Sequence, residues 1–581
     1  MPRRYPLGLP PKLRTAPIHL PSGAASTLAA VALAAVMTLL VPLGAAAGAP
    51  PAADPEPSAL QAPIPPGAVI GEVRIVNGDI FDPHRPGEDR WLFRTANRIH
   101  RETRAPVIER QLLFKSGDPY RPERLTESER LLRQNNYLYD AHIRPVAVHD
   151  GRVDVEVVTR DVWTLQAGVS YGHVGGHDSS SFEIQDSNVL GTGKEVSLLH
   201  LTDVDRTSNV VRFTDPNLLG SRARMELAYA DNSDGRRGRF SLERPFFSLD
   251  TRWSLGLRGQ RDSRDLALYQ LGKAYDTFRR EQDFFELQGG LSPGLVDGHS
   301  NRFRFGFSYE KDTFSTTVGT QFKRTSLPLP RKEPLLPPGR TLAFPWIAYD
   351  RVSDGYIEEH DRSRIERTED LNLGTQAHVR IGWSSPLFGG DVPRWIGDAS
   401  GSTGWRPTPG QLLFTSAGVS TRWANVGAEN LIASARLGYS VRDLGSNLFY
   451  AALTGDMVHH ADRETQLLLG GDEGLRGYPI RYQAGDRRVL LTIEQRFYSD
   501  REIFHLAHLG AAVFFDAGQA WFLESLAIQE RKILRDIGAG LRIASSRSSG
   551  GAVIHLDVAY PLDRGHGIDG IQWLVSTKES F

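Results

Sequence analysis

GGDEGLRGYPIRY, residues Gly470 to Tyr482, sets Arg476 between Gly474 and Gly477 in a connection rich in glycine and charge. Its flanks decide what it connects. Downstream, Val489, Leu491 and Ile493 share one face of a strand and leave Glu494 and Arg496 on the other. In Gly510 to Trp521, Val513, Phe515, Ala517 and Trp521 point one way, while Phe514, Asp516 and Gly518 point the opposite way. A guanidinium lowered between these polar faces meets Asp516 and Glu494, so the loop is expected to fold inward, into the lumen of a closed barrel.

The same period of two runs from Trp163 to the C-terminus. Phe303, Phe305, Phe307 and Tyr309 alternate with Arg302, Arg304, Gly306 and Ser308, and Ile554, Leu556, Val558 and Tyr560 alternate with His555, Asp557 and Ala559. Ile537, Ala539, Leu541 and Ile543 alternate with Gly538, Gly540 and Arg542. A soluble sandwich also alternates, but inward charges such as Glu494 and Arg496 suit a wet lumen better than a dry core. Mean hydropathy is −0.33, and no apolar run beyond the N-terminus is long enough to span a bilayer as a helix. A barrel, whose lipid-facing residues alternate with polar ones, remains. Five strands follow the opening loop: Val489–Phe497, Gly510–Gly518, Ile537–Ile543, Val553–Tyr560 and Ile571–Phe581. Between eleven and fourteen can be drawn before it, with Thr341 to Trp383 the most ambiguous part.

At the other end, Arg3, Arg4, Lys12 and Arg14 precede an apolar run from Ala24 to Leu43 and the small residues Ala45 to Ala47. That order predicts a secretory signal peptide over 1–47. A linker rich in Pro and Ala follows over 48–66. Residues 67–162 read as one small α/β domain. A strand over Val69 to Val76 leads to a helical stretch from Asp89 to Arg104 with Trp91, Leu92, Thr95 and Ile99 on one stripe. Two short helices come next, the second started by Pro122 and a Thr126–Glu129 capping box, then a hairpin around Asp150-Gly151. The net charge of −1 offers no bulk field for nucleic acid, and the absence of cysteine excludes disulfides, thiolate metal sites and cysteine nucleophiles.

The order strand, helices, strand, strand resembles a POTRA domain. Leu475-Arg476-Gly477-Tyr478, Glu494-Gln495-Arg496 and Phe514-Phe515-Asp516-Ala517-Gly518 resemble, in that order, the lumen-loop and strand motifs of the BamA, TamA and two-partner-secretion superfamily. Asn188 to Gly193 and Asp215 to Gly220 are similar to early turns of the same group. Trp573 and Val575 lie in phase with a terminal Phe581, similar to a barrel-assembly signal, although Glu579 stands where that pattern usually has another aromatic. The resemblance implies a membrane β-barrel of sixteen antiparallel strands in the outer membrane, with the POTRA-like domain in the periplasm. It implies a latch of Gly474 to Tyr478 against Asp516, Gly518, Glu494, Arg496 and Phe514.

It also implies function: unfolded outer-membrane or secreted polypeptides as clients, received at the POTRA-like domain and released at a seam between Leu165–Val174 and Ile571–Phe581. Outer-membrane lipid and periplasmic or inner-membrane accessory proteins are further partners of that reading. The alternative is a passive porin or structural surface antigen with the same barrel. With no G-x-S-x-G, P-loop or H-E-x-x-H in the chain, no enzyme, cofactor or metal is expected.

Overall fold

The computed structural model describes residues 63–578 apart from 85–87, 318–335, 361, 363–367, 426, 443–446, 504–505, 524–531, 546–552, 566 and 569. The expected signal peptide, most of the linker and Phe581 lie outside the described residues. The N-terminal domain consists of β1 (Val69–Gly78), α1 (Trp91–Ile99), α2 (Ala105–Glu109), α3 (Pro122–Arg133), β2 (Leu138–His149) and β3 (Arg152–Asp161). β3 is central, parallel to β1 and antiparallel to β2. Its alternate residues Val153, Val155 and Val157 are fully buried against Ile108 and Leu132 of the helical layer. That placement leaves β1 and β2 as the two edge strands of the sheet.

One local expectation changes. Pro122 opens α3 as anticipated, but Thr126 and Glu129 sit inside the helix and form no capping box. The Glu129 carboxylate accepts the Ile143 N–H instead, tying α3 to β2. In α1 it is Phe93 that is buried, stacked on Phe81 with ring centroids 4.3 Å apart, so Trp91, Leu92 and Ile99 face outward.

From Leu165 the chain forms one closed barrel in which each strand pairs with its sequence neighbours and the last, Gln572–Lys578, lies beside the first, Leu165–Val174. Among the described residues the ring holds twenty strands of 7 to 19 residues, plus the two-residue Leu295–Val296, rather than the sixteen expected. The five strands after residue 482 are those anticipated, so the surplus lies before the loop. Reversals there are tighter than an average of about 26 residues per strand and loop allows for. Gly175-Gly176 and Leu271-Gly272 each turn the chain in two residues, with both φ angles positive.

Alternation sorts the two faces as the sequence pattern requires. Phe303, Phe305, Leu541 and Trp573 are exposed on the outer surface, where lipid would cover them for about 1.5–3 kcal/mol each. Trp383, Trp395 and Trp423 are cross-strand neighbours near one rim and make a short aromatic belt. Inward charges are paired: Arg304 with Asp350 at 2.6 Å, Arg380 with Asp398 at 2.8 Å and Arg280 with Asp312 at 2.7 Å. Among the described residues no helix is long and apolar enough to cross a membrane.

One element was not anticipated. Between the strands Arg340–Ser353 and Gln376–Ser384, a hairpin of Tyr356–Glu359 and Glu369–Asn372 leaves the wall. Near its tip, Arg362 is buried and donates to Ser440 Oγ at 2.9 Å and the Gly410 carbonyl at 3.0 Å. The hairpin also meets the N-terminal domain along its length. Arg133 donates to both Asp370 oxygens at 2.9 and 2.6 Å, Thr368 Oγ1 donates to Asp140 at 2.8 Å, and Arg130 stacks on Tyr356.

Candidate functional site: a charged loop in the barrel lumen

The loop Gly470–Tyr482 leaves one wall strand, Leu448–His459, and returns into its paired neighbour, Arg487–Ile503. Between them it enters the lumen. Leu475 and Tyr478 are fully buried and cluster with Leu469, Tyr482, Ala520 and Leu534, so the loop carries a small apolar core of its own. Leu475 adopts φ +59°, a left-handed conformation that leucine rarely takes, and this turns Arg476 toward the wall. The Tyr478 hydroxyl donates to the Arg535 carbonyl at 2.8 Å.

Arg476 ends in a cage. Its Nε and Nη2 donate to the two Asp516 oxygens at 2.7 and 3.1 Å, and Nη1 donates to Glu494 Oε2 at 2.9 Å. The guanidinium lies 3.3 Å from the centroid of the Phe514 ring. Around this, Glu494 accepts from Arg496 at 3.0 Å and from Arg542 at 3.2 Å, and Arg542 also reaches Asp557 at 2.6 Å. Asp557 stands 3.6 Å from Arg476. Three guanidiniums and three carboxylates therefore interlock, and each carboxylate is nine-tenths or more buried. Charge-assisted, partly bidentate bonds offset the desolvation of such a cluster only while every member is present.

Close approach depends on glycine at two places. A Cβ on Gly477 would sit 2.6 Å from Asp536 Cβ, and one on Gly474, at φ +94°, would sit 2.3 Å from Leu490 Cδ2. Gly477→Val is expected to weaken loop docking by about 1–3 kcal/mol. Protease accessibility of the loop would rise, while the barrel keeps its heat-resistant migration in electrophoresis.

The structure brings together Gly474, Leu475, Arg476, Gly477 and Tyr478 with Asp516, Glu494 and Phe514. Arg496 joins through Glu494 rather than by touching Arg476, and Gly518 lines the wall beside Leu469 at the base of the loop. Trp573 faces outward on the last strand. Sequence reasoning missed Arg542 and Asp557, although their strand parity already placed both in the lumen. It also missed Arg481, which donates to both Asp205 oxygens at 2.7 and 2.8 Å across the lumen and stacks on Tyr269. Ile480 N–H donates to the Gly175 carbonyl in the first hairpin. The loop thus bridges the last strands to the first.

From below, the Arg362 carbonyl of the hairpin accepts from Arg496 Nη1 at 3.0 Å. A continuous polar path runs from Arg133 in the N-terminal domain through the hairpin and Arg496 to Glu494 and Arg476.

Residues 100–160 match the family model described as POTRA, surface antigen variable number repeat. A segment that matches a POTRA model thus precedes a closed β-barrel in this chain. Solved structures that align with it include BamA from Haemophilus ducreyi lacking POTRA domains 1-3, 14% identical over 87% of this chain and 85% of that one, with a TM-score of 0.37. CdiB from Acinetobacter baumannii is 12% identical, covering 88% of this chain and 73% of its own, at a TM-score of 0.43. CdiB from Escherichia coli is 12% identical, covering 87% and 76%, at 0.40. No curated protein matches the chain. The POTRA match begins after α1, which leaves β1 and α1 outside it.

Proposed function

We propose that this barrel resides in the outer membrane of a Gram-negative-type envelope with its POTRA domain in the periplasm, and that it inserts or exports polypeptides without covalent chemistry. One observation carries the reading: a POTRA domain with β2 as an edge strand is docked beneath a lumen occupied from both ends. An extended client adds to such an edge by main-chain hydrogen bonds, displacing Glu129 from the Ile143 N–H and Arg133 from the Ala141 carbonyl, which reads length and extension more than sequence. The loop and the hairpin hold the lumen in a resting state that a client must displace or bypass at the seam. Outer-membrane lipid and accessory envelope proteins fit the same reading.

The competing reading, a passive pore or structural surface antigen, has one feature in its favour. A cavity of about 750 Å³ lies in the lumen, lined by Arg258, Arg302, Arg304, His378 and small residues such as Ser400 and Ser416. Against it stand the loop and the hairpin, which cross that lumen from either side.

Photocrosslinkers at the exposed positions His142 and Val146 of β2 separate the two readings. They are expected to trap unfolded envelope polypeptides in cells. If no client adduct forms and the reconstituted barrel conducts ions steadily, the passive pore stands and the transport reading falls.

A further inference from the structure

We propose that α1, together with the turn leucines Leu190 and Leu219, is a membrane foot: an amphipathic surface that lies in the periplasmic phospholipid leaflet beside the first strands of the barrel. The outward side of α1 carries Trp91, Leu92 and Ile99, exposed by 74%, 54% and 64%. Large apolar side chains on the solvent side of a nine-residue helix gain nothing in water. Interleaved with them are Arg90, Arg94, Arg98 and Arg101, all exposed, while Asp89 and Glu102 are the acids of the stretch 89–104. An apolar stripe rimmed by arginine is the pattern of a helix lying in a headgroup layer, with rings and branched chains among the acyl carbons and guanidiniums on phosphate.

The position of α1 fits the same layer. Phe93 packs in a cluster with Ile80 and Phe81 that also takes in Trp163, two residues before the first barrel strand begins at Leu165. The segment after α1 is bonded to the first periplasmic turn. Thr103 Oγ1 accepts from Asn188 Nδ2 at 2.7 Å, and Arg104 N–H donates to the Gly191 carbonyl at 3.0 Å. Gly191 has no room for a Cβ, which would lie 2.2 Å from the Glu102 carbonyl oxygen. α1 is therefore held at the height where the lipid-facing band starts.

That turn and the next extend the surface. Leu190 and Leu219 both adopt φ +53° and are 63% and 95% exposed. Left-handed geometry is costly for leucine, and a glycine or asparagine would relieve it. Two successive turns instead present leucine outward, in line with the exposed Leu165 and Leu198 of the barrel's outer face. Continuity with that band, and the surplus of arginine, favour phospholipid over a polypeptide. The client edge β2 lies on the far side of the sheet, beyond β3. The foot requires only that the barrel spans a membrane, and it stands or falls independently of any client.

The chain has no cysteine, so single labels report cleanly. Leu92→Cys and Val146→Cys, both at exposed positions outside the core, would carry an environment-sensitive fluorophore in the full chain. The protein is reconstituted in vesicles of phosphatidylethanolamine and phosphatidylglycerol, with and without doxyl-labelled lipid. Quenching at position 92 is expected to exceed that at position 146 by about threefold or more. Trp91→Glu combined with Ile99→Glu should abolish the difference while leaving heat-resistant migration intact. Equal quenching at the two positions overturns the proposal. So does a label at position 92 that becomes shielded only when an unfolded polypeptide is added, which would make α1 a client surface.

Discussion

Arg476→Ala is expected to release the loop Gly470–Tyr482 from the wall at a cost of about 3–5 kcal/mol in docking, the range for breaking a buried ion pair from one side. Glu494 keeps Arg496 and Arg542. Asp516 bears the loss, because Arg476 donates to both of its oxygens and the residue opposite it on the next strand is another acid, Asp536. Arg476→Lys should fall between, keeping the charge but losing the bidentate fork. Adding Asp516→Asn to Arg476→Ala should cost less than the two changes summed, since the pair acts as a unit. Hydrogen exchange over 470–482 measures all three. A loop as protected in Arg476→Ala as in the parent would remove the latch, and unchanged client adducts would remove its role in transport.

Arg133→Glu carries the second large effect. The Arg133 side chain is almost fully enclosed between Asp370 and Glu358, and the substitution sets a third carboxylate against two. The POTRA domain is expected to undock from the hairpin, again by about 3–5 kcal/mol. Paired spin labels on the POTRA domain and the barrel rim would record a broadened distance distribution. Joining Arg133→Glu to Asp370→Arg should narrow it again. If the distribution in Arg133→Glu matches the parent, the hairpin does not hold the POTRA domain.

Much of this was legible because a strand has a period of two. Once Val489 faces outward, Glu494 and Arg496 must face the lumen, and the same reasoning extends to Asp516, Arg542 and Asp557. The last two were overlooked although their strands had been read correctly. Strand number was less legible, since a two-residue reversal such as Leu271-Gly272 leaves almost no loop sequence to mark it. The hairpin Tyr356–Asn372 lay in the stretch that had already been the hardest to divide, and its four-residue strands are too short for a period to emerge. The contact of Arg481 with Asp205 joins positions 276 apart and follows from closure of the ring, which no local pattern encodes. The spacing puts Trp91, Leu92, Thr95 and Ile99 on one stripe of α1 but does not say which face is covered. Only its packing on Trp163 reveals that Phe93 is the buried residue and the stripe is the free face.

Because the strands that flank the lumen loop are hydrogen-bonded to each other, both of its ends are tethered at one point on the wall. Redocking is then an intramolecular event at an effective concentration in the mM range for a short tether. Whatever pushes the loop aside competes against a ligand that never diffuses away. The lumen re-closes as soon as the intruder leaves, with no partner and no energy source, and the open dwell time is set by the intruder's own residence.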